Sequence, residues 1–146
     1  MKGFLKNIIS FALLLVLINY IGYKIIYKEY LEDYEKVNLQ YKTYLLGDSQ
    51  GKATRDFGES KGIYNFSDDS DSFEDLYRKF IYLVANSSVD TVIITVNDHT
   101  LSDYRDKKNN NDRSKFFQQE NSLVDQMKYL LDRYLVLTNS KYRDII

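Results

Sequence analysis

Residues 41–53, Tyr41-Lys42-Thr43-Tyr44-Leu45-Leu46-Gly47-Asp48-Ser49-Gln50-Gly51-Lys52-Ala53, hold the pattern on which the rest of the chain is organised. A short apolar run reads as a buried strand over 41–47, and Gly47-Asp48-Ser49 stops it. Ser49 then falls at the carboxyl end of the strand, the edge where open α/β sheets place ligands and nucleophiles. Glycine lets the backbone leave a sheet sharply, and a serine opening the next turn exposes its hydroxyl beside unpaired backbone N–H groups. Such groups stabilise an oxyanion, while the serine itself needs a base. The same three residues are ordinary turn formers, so the tripeptide alone defines a strand end rather than a chemistry.

Downstream, residues 50–61 read as a polar loop or a helix of one to two turns, and residues 62–66 as a second short strand. The acidic turn Asp68-Asp69-Ser70-Asp71 reads as a solvated cap, because it lacks the ligand spacing and glycine of a calcium loop. Asp71 or Ser72 is placed to cap a helix over 72–86, with Phe73, Leu76, Tyr77, Phe80, Ile81 and Val84 on one stripe. This helix is the expected crossover of a βαβ unit. Residues 90–97 are β-branched and apolar, which predicts a central parallel strand buried on both faces. That strand ends in Asn97-Asp98-His99, so the only histidine is expected at the same sheet edge as Ser49. Residues 101–115 read as a polar loop too hydrophilic for a core, serving as a lid or a surface excursion. A last amphipathic helix over 121–136, with Leu123, Met127, Leu130, Leu131 and Tyr134 on one face, is expected to pack on the sheet.

Upstream, Lys2 and Lys6 precede an uncharged run from Asn7 to Tyr23, which reads as a single membrane anchor over residues 1–27. A cleaved signal peptide competes with this reading, but no small-x-small site follows the run; a core helix would show a polar face. Lysines before the run and Glu29, Glu32, Asp33 and Glu35 behind it place the amino terminus in the cytoplasm and the rest outside, with Tyr20, Tyr23 and Tyr27 as the outer aromatic belt. Residues 28–40 read as a charged stalk or short helix.

Composition narrows the chemistry. Without cysteine the chain makes no disulfide and no thiolate metal site, and one histidine excludes a histidine-rich one. A net charge of −1 gives no footprint for nucleic acid, and no cofactor motif is evident. The 14 tyrosines suit a packed α/β domain and also contact with sugars.

Gly47-Asp48-Ser49 after a first strand, Asn65 closing a second segment and Asn97-Asp98 after a buried strand resemble blocks one to three of the SGNH (GDSL-type) hydrolases. The layout is similar to the membrane-anchored SGNH-like proteins of bacterial envelope-polysaccharide loci, and the resemblance covers about residues 41–101. It implies an α/β fold: a transmembrane helix followed by a partial flavodoxin-like three-layer domain, with a short parallel sheet, over residues 41–146. It implies Ser49 as nucleophile and as one oxyanion donor through its N–H, and Asn97 as a second donor. Two departures stand out. Ser67-Asp68-Asp69 replaces the block-two glycine, and the usual Asp-x-x-His pair near the carboxyl end is missing. Either the chain is a piece of a longer domain, or His99 serves as base with Asp98 or Asp103 orienting it. The implied function is an extracytoplasmic, single-pass esterase or O-acyltransferase of the cytoplasmic membrane. Its partners would be the lipid bilayer, an acylated polysaccharide and a membrane acyl-donor protein. The alternative is a non-catalytic envelope scaffold of the same fold.

Overall fold

The computed structural model describes residues 2–98, 100–118, 122–139 and 142. The chain divides into two units, residues 1–33 with 120–146, and residues 34–119.

In the first unit, helix α1 (Lys2–Ile26) passes through one π-turn (Tyr27–Leu31) into a final turn at Glu32–Glu35. Its 25 residues extend about 37 Å, enough to cross a hydrocarbon core of about 30 Å. The apolar window is wholly unburied, whereas a core helix of a soluble protein would be covered.

The second unit is built on a three-stranded parallel sheet, β1 (Thr43–Leu46), β2 (Ile63–Asn65) and β3 (Thr91–Ile94), in the order β2-β1-β3. Thr43 of β1 stands opposite Ile63 on one side and Thr91 on the other. All three strands fall inside the spans read from the sequence. The central position does not go to the strand expected there. β1 occupies it, while β3 lies at the edge of the sheet among the described residues, with Ile93 and Ile94 exposed. A continuous β-branched run signals strand, but whether protein covers its two faces depends on neighbours that the run does not encode. Helix α2 (Ser49–Lys52) follows β1, helix α3 (Arg55–Ser60) leads to β2, and helix α4 (Phe73–Asn86) makes the crossover to β3. Ser72 caps α4 through a full capping box with Asp75.

Helix α4 is turned relative to its apolar stripe. Leu76 and Leu83 are buried with Asp75, Arg78 and Lys79, while Phe73, Tyr77, Ile81 and Val84 are exposed. The cause is the polar segment expected to be a surface excursion. Asn110 and Ser114 are buried because they serve carboxylates: the Asn110 amide donates to Asp71 (2.7 Å), its N–H to Asp75 (3.0 Å), and the Ser114 hydroxyl to Asp75. Arg78 donates to Ser114, Asn111 and Gln118, tying α4 to that segment. Satisfied buried polar groups are tolerated in a core, so hydrophilicity alone does not assign a segment to the surface. Phe117 follows directly and stacks edge-to-face on Phe66 and Tyr82. With Tyr34, Tyr44, Leu46, Phe66, Leu76 and Leu83 it forms the core. Tyr34 comes from the stretch read as a solvated stalk, and its hydroxyl donates to Asp71 (2.9 Å).

In the remaining part of the first unit, helix α5 (Leu123–Tyr134) ends in a 3-10 turn (Val136–Thr138). Val136 and Tyr142 are buried with Ile26 of α1 and Leu31 of the π-turn. The apolar side chains of α5 are exposed rather than buried on a sheet, a departure from the sequence reading.

Candidate active site

The carboxyl edge of the sheet carries Ser49, Asn97 and Asp98. Backbone pairing continues past β1: Thr95 N–H donates to Leu46 C=O (2.9 Å) and Asp68 N–H to Gly47 C=O (3.3 Å). Gly47 is therefore hemmed in from both sides. A Cβ there would collide with the Thr95 side chain and lie 3.3 Å from the Gly51 backbone. Gly51 is equally confined, with Ser67 Oγ 2.6 Å from the place of a Cβ. The two glycines let α2 turn back tightly over the strand ends.

Asp48 is the N-cap of α2, and its Oδ1 accepts the Gln50 N–H at 3.0 Å. Its other oxygen accepts from the Asn97 amide (3.0 Å) and pairs with the Arg105 guanidinium (3.2 Å). The Asn97 Oδ1 accepts from both the N–H and the hydroxyl of Thr100. The structure thus joins the end of β1 to the segment after β3 through Asp48, a residue read from the sequence as turn-stabilising. Ser49 is the first residue of α2 and is exposed. Asp98 is exposed in the turn after Asn97. His99 lies outside the described residues. Asn65 secures the other flank of α2, its amide donating to Gly51 C=O at 2.7 Å.

Arg105 had no signal in the sequence, since it stands in a polar stretch with no motif. It lines an open cleft of about 500 Å³ with Phe73, Thr100, Leu101 and Asn109, so the cleft and the Asp48–Asn97 pair share one side chain. A cleft of this volume lies within the range of small-molecule sites. The acidic turn is neutralised by cations: Lys52 bridges Asp68 (2.8 Å) and Asp69 (2.7 Å). Lys79 pairs with Asp71 at 2.6 Å.

Burial pushes the Asp48 carboxyl up, but hydrogen bonds from Asn97 and Gln50 and the charge of Arg105 outweigh it and hold the group below its ordinary value. Asp68 is likewise raised by burial and brought below its ordinary value by Lys52 and Arg113. A carboxylate with a depressed folded pKa contributes stability that is present above its unfolded value and is lost as pH falls through the folded one. Asp71, raised by burial, acts in the opposite sense. Asp48→Asn is therefore expected to flatten the loss of stability below about pH 4. Thermal unfolding of wild type and variant across that range checks it, and an unchanged acid slope would remove Asp48 from the account.

No family model matches the chain, and no curated protein and no solved structure matches it.

Proposed function

We propose that the chain is a membrane-anchored, SGNH-like acyl-transfer protein whose nucleophile is Ser49 and whose substrate is an acylated envelope polysaccharide. The observation that carries the reading is an exposed Ser49 directly after the central strand, next in the chain to the buried Asp48, which accepts from Asn97 and pairs with Arg105, a residue that also lines the cleft. The parallel order β2-β1-β3 with a crossover helix is the arrangement of a flavodoxin-like half-sheet, which supports the same family. In the reaction, Ser49 Oγ attacks an ester carbonyl and gives its proton to a base, the role assigned to His99. The alcohol leaves with that proton, and the acyl group passes from serine to water or to a sugar hydroxyl. Helix α1 holds the protein in the bacterial cytoplasmic membrane with the α/β unit outside.

A second reading is favoured by the Asn97 amide, one of whose two N–H donors is taken by the Asp48 carboxylate. On that reading the site is a binding or assembly surface without catalysis. A fluorophosphonate probe applied to the full chain in membranes separates the two. Acyl transfer requires covalent labelling of the wild type and loss of nearly all of it in Ser49→Ala. A folded wild type that takes up no label leaves the scaffold reading.

A further inference from the structure

Helix α5 is amphipathic with an unusually clean division. At 100° per residue, Leu130, Leu123, Tyr134, Met127, Leu131 and Val124 fall in one uninterrupted arc of about 120°, while Asp125, Lys128, Asp132 and Arg133 occupy the remainder. Every residue of the apolar arc is exposed, from 44% at Tyr134 to 78% at Leu123. Leu135 and Leu137 extend the exposed apolar surface beyond the helix. A helix of 12 residues presents such a face along about 18 Å, more than isolated surface apolar residues account for.

Its carboxyl end is fastened to α1. Asn19 Nδ2 donates to the Tyr134 carbonyl at 2.7 Å, and the rings of Tyr23 and Tyr134 lie 5.0 Å apart. Counting about 20 residues of span from Phe4 brings the anchor to Tyr23, so these contacts sit at the depth where hydrocarbon gives way to headgroups. We infer that α5 is an interfacial helix, lying in the surface of the same bilayer with its leucine-rich arc in the headgroup–acyl boundary and Asp125, Lys128 and Asp132 in water. This rests on α1 being a membrane anchor. The occupant is lipid because Tyr134, a member of the arc, packs on Tyr23 of α1, whose neighbours Ile21 and Ile25 are exposed apolar residues of the spanning helix. The polar arc carries two acids and two bases, so apolar burial rather than attraction to anionic headgroups supplies the binding.

The chain has no tryptophan, so single tryptophans report without background. Full chains carrying Leu130→Trp, Asp125→Trp or Val16→Trp are reconstituted in phosphatidylcholine vesicles whose lipids carry bromine either near the headgroup end or near the tail end of the acyl chains. Leu130→Trp should lose most of its emission to the shallow bromine and little to the deep one. Asp125→Trp should keep its emission with both, and Val16→Trp should be quenched most by the deep bromine. If Val16→Trp is quenched and Leu130→Trp is not, the anchor stands and the inference falls, including the case of a blue-shifted Leu130→Trp buried against protein or a second copy. Equal quenching at positions 125 and 130 also overturns it, because no face is then selected. If Val16→Trp escapes both bromines, the anchor reading fails and the interfacial helix fails with it.

Discussion

Replacing Lys79 by Met is expected to cost about 3–5 kcal/mol, close to the whole stability of a small unit, and to leave residues 34–119 largely unfolded at ordinary temperature. Lys79 is fully buried on α4 and donates to Asp71 (2.6 Å) and to the Phe66 carbonyl (2.9 Å). Its ammonium also lies over the rings of Tyr34 (4.2 Å) and Phe66 (4.6 Å). Burial lowers the Lys79 pKa and raises that of Asp71, so each charge is tolerated only because the other is there. Methionine preserves volume and removes the charge, which strands the Asp71 carboxylate. The variant should therefore regain stability as pH falls from 7 toward about 5, because a raised folded pKa makes the native state the better proton binder. Tyrosine near-ultraviolet circular dichroism during thermal unfolding reads both effects. A variant as stable as wild type, or one that only loses stability toward acid, would show that the pair does not hold the helix to the turn.

The second large effect concerns the turn before Ser49. Gly47→Ala is expected to destabilise by about 1–3 kcal/mol, since a methyl group there meets the Thr95 side chain and the Gly51 backbone at once. Thr95 Oγ1 is buried with no hydrogen-bond partner, so Thr95→Ala alone should cost far less. The double variant should recover much of the Gly47→Ala loss. Denaturant titration of the three variants gives the coupling, and strictly additive effects would mean that the Thr95 contact is not what demands glycine.

Legibility followed the range of the interaction. Helix α1 was readable because length and composition suffice for a spanning segment, and the strand ending in Gly47-Asp48-Ser49 because a short apolar run and its breaker are adjacent in sequence. The start of α4 was readable to within Asp71 or Ser72 for the same reason, and the structure gives the cap to Ser72 with Asp75 three residues on. Asn97 was legible as the residue after a strand, but its partner Asp48 stands 49 residues earlier and nothing in the intervening chain specifies the pair.

Local pattern was enough for the kinds of element and their order: an apolar helix, three strands with a crossover and a final amphipathic helix, whereas the acidic turn read as solvated holds the fully buried Asp71. Tertiary structure decided which strand is central, because β1 hydrogen-bonds on both edges whereas β3 has one neighbour among the described residues, a matter of pairing rather than of propensity. It decided which face of α4 is inside, because Asp75, Arg78 and Lys79 find partners in residues 109–118 that make their burial tolerable. It brought Arg105 to Asp48 across 57 residues and opened the cleft beside them. Local pattern reports what a segment wants to bury, and only the assembled partners establish what it does bury.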